Sequence, residues 1–160
     1  MIPNNQIKLP PVLDRGFTKL KKSSIAGMGV FAKKDIPKGT RLYAYEGLVV
    51  NRRQIIEDSN NGLSTMQYVM RLNGKQVIDA ERNGNDARFI NHSCQPNCFV
   101  LFVNGLPFIY AQEFIKEDHE ITFNYYLASI KKIKLTLTEK KEWFPCKCGS
   151  TNCSGTLLTT

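Results

Sequence analysis

The chain lacks several things that would have assigned it quickly. Its first residues, Met1-Ile2-Pro3-Asn4-Asn5-Gln6, carry no basic flank leading into an apolar core, so no secretory leader is read there. No apolar stretch approaches the roughly 20 residues of a membrane helix, and no membrane partner is expected. No internal repeat and no low-complexity block is present. Acidic residues are scarce: 14 Asp and Glu stand against 22 Lys and Arg, for a net charge of +8. That balance favours an acidic partner surface such as nucleic acid, chromatin or an anionic membrane, with a solvated basic face as the plain alternative. Cysteine is missing from the whole stretch before Cys94. The five cysteines all fall in two places, Cys94 and Cys98 and then Cys146, Cys148 and Cys153. Five cannot all pair in disulfides. In a reducing intracellular compartment such clusters serve more often as metal ligands.

At 160 residues, 42% hydrophobic and 22% charged, the chain has the size and composition of one globular domain with a real core. Residues 1–16, rich in Pro and Asn, read as a loose lead-in. From Phe17 the pattern is mainly β, in short strands. Residues 41–50 are β-prone. Asn51-Arg52-Arg53-Gln54 resembles a capping box that opens a short helix to about Asp58. Residues 67–72 and 75–80 flank Asn73-Gly74, and residues 98–103 and 106–112 flank Asn104-Gly105. Both read as hairpins closed by a two-residue turn. Residues 120–126 form another strand candidate. The basic stretch 131–141 reads as a helix or a loop.

Four segments carry chemistry. The run Arg88-Phe89-Ile90-Asn91-His92-Ser93-Cys94-Gln95-Pro96-Asn97-Cys98 gathers polar and metal-ligating side chains that a plain core strand would not need. Cys146-Lys147-Cys148 with Cys153 supplies three thiolates from one loop. A structural zinc site takes four ligands, so a fourth comes from elsewhere: Cys94, Cys98, His92 or His119. No nucleophile turn or base-orienting partner supports a Cys–His hydrolase. Gly27-Met28-Gly29 lacks the third glycine of a dinucleotide loop and reads as a turn where backbone approaches a ligand closely. In Glu120-Ile121-Thr122-Phe123-Asn124-Tyr125-Tyr126, aromatics usual for a sheet face could also place a hydroxyl in a site.

In this order the segments resemble the SET-domain protein lysine methyltransferases with a cysteine-rich post-SET tail. The resemblance runs over about residues 17–158. It rests chiefly on residues 88–98 and on Cys146-Lys147-Cys148-Gly149 through Asn152-Cys153-Ser154-Gly155. Within the family the chain is most similar to the NSD, ASH and SETD group, the histone H3 lysine-36 enzymes, with the MLL-like lysine-4 enzymes close by. The resemblance implies a SET domain over 17–126, a basic linker or lid over 127–145, and a zinc tail over 146–160. Its fold is several short sheets around a knot-like C-terminal segment. The implied activity is methyl transfer from S-adenosylmethionine to the ε-amine of a protein lysine, on a histone tail and histone H3 first. The place of work would be chromatin in a nucleus (a host's, if the source is a pathogen), with nucleosomal DNA touching the basic surface. The alternative is a non-catalytic SET module that binds chromatin or a peptide.

By position, Tyr125, Phe123 and Tyr68 map to the catalytic centre. Phe123 stands where phenylalanine leaves room for more than one methyl. Ala26, Gly27, Met28, Gln67, Tyr68, Arg88, Asn91 and His92 map to the donor site, with Phe144, Pro145 and Lys147 over its adenine side. Cys94, Cys146, Cys148 and Cys153 map to one zinc ion, leaving Cys98 a bystander whose change to serine should be mild. Three departures stand out. Met28 replaces the usual tryptophan or another bulky residue, which a backbone contact should tolerate. Leu48 follows Gly47 where many members carry glutamate. No cysteine stands among residues 1–93, so the zinc-rich module that precedes the domain in NSD-like members is not expected there.

Overall fold

The computed structural model describes residues 16–128 and 134–159, which form three small sheets. The first contains β1 (Thr18–Lys22), β2 (Met28–Ala32), β7 (Asn91–His92) and β10 (Glu120–Phe123), in the order β1-β2-β10-β7. The second contains β3 (Arg41–Ala44), β8 (Cys98–Val103) and β9 (Leu106–Ala111), with β9 central. The third contains β4 (Leu48–Asn51), β5 (Val69–Arg71) and β6 (Gln76–Asp79), with β6 central. Among the described residues two short α-helices, α1 (Arg52–Asn60) and α2 (Leu137–Trp143), and one 3-10 turn (Asp86–Phe89) complete the elements.

The three sheets share one core. Ile36, Ile109 and Ile121 are fully buried, and Val30, Leu42, Ile78 and Ile90 join them. Each such side chain contributes about 1.5–3 kcal/mol by leaving water. Cys98 belongs to this core and is also fully buried. Burial pushes its thiol up to about 12, so it is a hydrophobic filler rather than a ligand. Serine there would bring a hydroxyl into an apolar core, so its cost is expected in stability rather than in the tail.

Several expected elements are present with altered limits. Residues 41–50 are not one strand: β3 and β4 are separated at residues 45–47 and belong to different sheets. Gly47 makes that crossing possible, since a Cβ there would sit 2.6 Å from the Asp79 carbonyl oxygen. Asn51 caps α1 by accepting from the Gln54 N–H at 2.8 Å. The reciprocal half of the box is missing, because the Gln54 amide turns forward to Asp58 Oδ1 at 2.7 Å. The helix runs on to Asn60.

The two Asn-Gly hairpins differ. Asn104 (φ 50°) and Gly105 (φ 78°) form the two-residue turn, both in the left-handed region that a type I′ turn needs. At Asn73-Gly74 the connection is longer. Arg71 faces Val77, and the Leu72 N–H donates to the Gln76 carbonyl. The cause is local: Asn73 Oδ1 accepts from both the Lys75 and Gln76 N–H groups at 2.8 Å, an Asx turn that shifts the register by one.

Residues 131–133 of the basic stretch lie outside the described residues. The rest of it enters α2, which starts at a full capping box: Thr136 Oγ1 accepts from the Glu139 N–H, and the Thr136 N–H donates to Glu139 Oε2 at 2.8 Å. Those contacts hold the Glu139 carboxyl below its usual range. Of the expected lead-in, only Gly16 is described.

Candidate active site

The site is assembled where β7 lies parallel to β10. Thr122 pairs with Asn91 and Phe123 with His92, which brings two segments about thirty residues apart side by side. Asn91 is buried at the sheet edge and directs its amide nitrogen at three acceptors. These are Ala26 O and Met28 O, each at 3.1 Å, and Glu120 Oε1 at 2.8 Å. Asn91 is thus tied to the Gly27-Met28-Gly29 turn, with Gly27 at φ +47°. The Met28 side chain is exposed, so the residue contributes backbone here.

His92 joins two further parts. Its Nδ1 accepts the Tyr125 backbone N–H at 3.2 Å, which makes Nε2 the protonated nitrogen, and Nε2 lies 3.5 Å from Cys94 Sγ. Burial holds the imidazole below its ordinary pKa and so keeps it neutral. Its ring meets Tyr125 edge-on at 5.3 Å.

Tyr125, Phe123, Tyr68, Phe89 and Tyr45 form an aromatic cluster against the core. Phe123 and Tyr125 have centroids 5.2 Å apart, and Tyr68 meets Phe89 edge-on at 5.7 Å. The Tyr125 hydroxyl donates to Ile90 O at 2.9 Å, and the Tyr45 hydroxyl donates to Tyr68 O at 3.2 Å. Burial pushes the Tyr125 phenol up to about 12, with Tyr68 and Glu120 adding to the shift. Burial also raises Tyr45 above the ordinary phenol range, assisted by Tyr125 and Asp79. Both phenols stay protonated at neutral pH. They can orient a neighbouring group through oxygen lone pairs, but they cannot act as ready-made phenolate bases.

Sequence reading did not single out Tyr45 as a site residue, although it lies in the Tyr45-Glu46-Gly47 segment. Its signals were the match of that segment to the second motif of the family and an alternation with Leu42 and Ala44 that reads equally well as core. Arg88, placed by resemblance at the donor site, donates to Ala80 O at 3.1 Å and lies over the Phe89 ring at 4.7 Å. It therefore buttresses the aromatic cluster. Gln67 is exposed next to Tyr68.

The tail closes over this region. Cys94, Cys146, Cys148 and Cys153 bring their sulfurs within 4.8 Å of one another. Cys94 Sγ is 3.8 Å from Cys146 Sγ and 4.0 Å from Cys153 Sγ. A tetrahedron with Zn–S bonds of about 2.3 Å has edges of about 3.8 Å, so the spacing suits zinc. Backbone donors face two of the sulfurs as well. The Cys94 N–H points at Cys148 Sγ (3.5 Å), and the Gly155 N–H points at Cys153 Sγ (3.4 Å). Burial opposes ionisation of Cys148, but the Cys94 N–H and Ser150 outweigh it and hold this thiol below its usual range. Of the four candidates for the fourth ligand, Cys94 completes the group. His119 is exposed, with its Nδ1 near Glu117 O.

Beyond the sulfurs the tail is stitched down by backbone. Leu127 bridges Leu158 in parallel, the Thr159 N–H donates to Leu127 O at 2.8 Å, and the Leu157 N–H donates to Phe144 O at 2.8 Å. Pro145 bridges Thr156, which places Phe144 and Pro145 in the closure, while Lys147 is exposed. Between tail and strand exit lies a cavity of about 310 Å³ lined by His92, Asn124, Tyr126, Ser154, Leu157 and Thr159, among others. From the full lining the sequence reading named His92 and Cys94 as site residues. Asn124 lay in plain view inside the segment 120–126, whereas Leu157 had no signal beyond following the last cysteine.

Comparison with known proteins agrees with this geometry. Residues 27–126 match the family model described as SET domain. The chain is 34% identical over 140 residues to human histone-lysine N-methyltransferase 2B, covering 82% of this chain and 5% of that protein. It is 37% identical over 149 residues to human histone-lysine N-methyltransferase SETD1B, covering 87% and 7%. It is 35% identical over 137 residues to Drosophila melanogaster histone-lysine N-methyltransferase ash1, covering 82% and 6%. The chain therefore spans only a small part of these relatives' length. Among solved structures it resembles KRYPTONITE in complex with mCHG DNA and SAH, with a TM-score of 0.68 and 28% identity. That match covers 88% of this chain and 28% of that one. The SET-domain match over residues 27–126, together with these relatives, shows that the chain belongs to the SET-domain family.

Proposed function

We propose that this chain transfers the methyl group of S-adenosylmethionine to the ε-amine of a protein lysine, with a histone tail, histone H3 first, as its substrate. One observation carries the reading. A protonated, half-buried Tyr125 is fixed by His92 and Ile90 at the end of an aromatic cluster, one residue pair away from an asparagine that holds a glycine turn.

The chemistry asks for such a place. The donor supplies an electrophilic methyl on a sulfonium, and the lysine nitrogen must attack in line with the departing sulfur. Positioning therefore supplies much of the rate. Free lysine, with a pKa of roughly 10.4, is almost wholly ammonium at neutral pH. Tyr45, Tyr68, Phe123 and Tyr125 surround the amine with few polar atoms, which favours its neutral form. The Tyr125 oxygen, its proton engaged with Ile90 O, offers lone pairs to an amine N–H and so aims the nitrogen's own lone pair. The lysine proton leaves to water before attack, and no phenolate is required.

Donor contacts are assigned to the backbone of Ala26, Gly27 and Met28, to Gln67 and Tyr68, and to Asn91 and His92. Phe144, Pro145 and Lys147 would cover the adenine side, and Arg88 supports the site from behind. Cys94, Cys146, Cys148 and Cys153 would hold one zinc ion that pins the tail. The basic surface, with Lys19, Lys21 and Lys22 on β1, suits nucleosomal DNA, and chromatin is the expected place of work.

The test is transfer of labelled methyl from S-adenosylmethionine to recombinant histone H3 and to nucleosomes, with the modified lysine located by mass spectrometry. Label on a histone lysine supports the reading. Binding of nucleosomes without any transfer by wild-type protein would move the chain to the non-catalytic alternative.

A further inference from the structure

Gly29 is a glycine for a reason that donor binding does not supply. Its φ is not in the left-handed region, so no turn demands it. A Cβ at this position would collide with Glu120 Oε1 and come within 3.0 Å of Ser23 Cβ. The glycine makes room for a carboxylate.

That carboxylate is the centre of a small network. Glu120 Oε1 accepts from Asn91 Nδ2 at 2.8 Å, and the Ser23 hydroxyl is shared between Oε1 at 2.7 Å and Oε2 at 2.9 Å. Ser23 in turn holds the loop from its other side. Its Oγ accepts the Ile25 N–H at 2.9 Å, and its own N–H donates to Gly27 O at 2.9 Å. Asn91 holds the loop from below through Ala26 O and Met28 O. The carboxylate thus grips both residues that grip the loop. It also decides which way the Asn91 amide faces. A carboxylate can only accept, so the amide must present its nitrogen, and that same nitrogen then meets the two loop carbonyls. Glu120 stands at the first position of β10, opposite Phe31 of β2, so its backbone is fixed by the sheet that also carries Phe123.

We propose that Glu120 is a positioning residue for methyl-donor binding. Its carboxylate orients Asn91 and Ser23 and thereby sets the shape of the loop at Ala26, Gly27 and Met28, without touching the reacting atoms. The inference rests on the reading of that loop as the donor site. Loss of the carboxylate frees the Asn91 amide to turn and releases Ser23, so the loop relaxes and donor affinity falls. Tyr125 is held by His92 and Ile90 and keeps its place, so turnover at saturating donor changes little.

The experiment measures S-adenosylhomocysteine binding to the full chain by calorimetry, alongside steady-state methylation with donor and peptide varied separately. Glu120→Ala is expected to weaken binding about tenfold and raise the donor KM in step, with kcat and peptide KM within about threefold of wild type. Glu120→Gln, which keeps an acceptor oxygen, should recover most of the affinity. Gly29→Ala should weaken binding in the wild-type background and much less in the Glu120→Ala background, because the colliding oxygen is gone. Melting curves for each variant report whether it folds. An unchanged donor affinity in Glu120→Ala overturns the proposal, as does a fall in kcat with donor affinity intact. If the full set fails to fold except Glu120→Gln, and Gln binds donor as weakly as a loop-disrupting Gly27→Val control, the rescue has failed and the proposal falls with it. Wild-type protein that binds no donor refutes the site reading itself, a result distinct from a wild type that binds while Glu120→Ala binds equally well.

Discussion

The aromatic cluster and the cysteine tail meet at His92, yet they are held by different forces. Around Tyr125 the support is a shared hydrophobic core: Phe123 is buried, and Tyr68 and Tyr125 pack on a cluster drawn from all three sheets. In the tail almost nothing is buried. Helix α2 has no buried residue, and only Thr156 and Leu158 are buried after it among the described residues. A segment of this length without a core cannot offset its conformational entropy by burial. Four sulfurs can take that role, and with a metal bound its affinity and the folding of the tail would be one equilibrium. The place proposed for the reacting amine is thereby shaped by rigid packing, whereas the cavity wall at Leu157 and Thr159 would depend on an ion.

The difference can be broken from either side. The largest effect is expected from Tyr125→Phe, which removes the orienting oxygen but little packing. Methyl transfer should fall about 10²–10⁴-fold, with donor binding and zinc content retained. Equal turnover by this variant and wild type would remove Tyr125 from the chemistry.

Next comes the metal. Cys94→Ser, or chelation of the wild type, should abolish stoichiometric zinc and expose amides over residues 144–158 to rapid hydrogen exchange. Amides of β2, β9 and β10 should stay protected. Cys98→Ser is the paired control. It should keep its zinc and its tail, and instead lower global stability by about 1–3 kcal/mol, read from denaturant unfolding, because a hydroxyl enters the apolar core. Zinc loss from Cys98→Ser would contradict the division between the two cysteines.

A smaller effect follows from the phenol. The folded Tyr125 pKa of about 12 lies above its ordinary value of 10.0. The folded state therefore binds the proton more tightly, and this stabilising contribution is fully present below pH 10. It is lost as pH rises from about 10 through 12, so stability should decline in that window and Tyr125→Phe should flatten the decline. Between pH 7 and 9 the rate should rise with deprotonation of the lysine, with no inflection from Tyr125. The mildest change is Phe123→Tyr. A new hydroxyl in the aromatic cluster should shift products toward fewer methyls per lysine, seen by mass spectrometry, with the first transfer nearly unaffected.

Much of this was legible in the chain. Asn104-Gly105 specified its own turn, because the two residues that best tolerate positive φ stand together between alternating strands. Asn73-Gly74 carried the same letters, but Asn73 used its side chain on Lys75 and Gln76 instead. The choice between those outcomes is made by neighbouring backbone. The cysteine spacing pointed to a metal, and the capping pair Thr136 and Glu139 marks the start of α2 within a stretch whose lysines suit helix and loop alike. Tyr45 and Leu157 were not legible, since an aromatic in a strand and a leucine in a loop look the same whether they line a site or fill a core.

Sequence alone determined the parts whose information is local: short β segments, the Asn-Gly turn, helix caps, three thiolates on one loop, and a motif order specific enough to indicate the family. Tertiary structure alone decided which residues share a site. The parallel pairing of β7 with β10 set Asn91 against Glu120 and the glycine turn, set His92 between Tyr125 and Cys94, and carried Cys94, the ligand that the family resemblance implied, to the three tail sulfurs. Those choices arise from contacts between segments far apart in the chain, and their geometry exists only once the shared core has brought the sheets together.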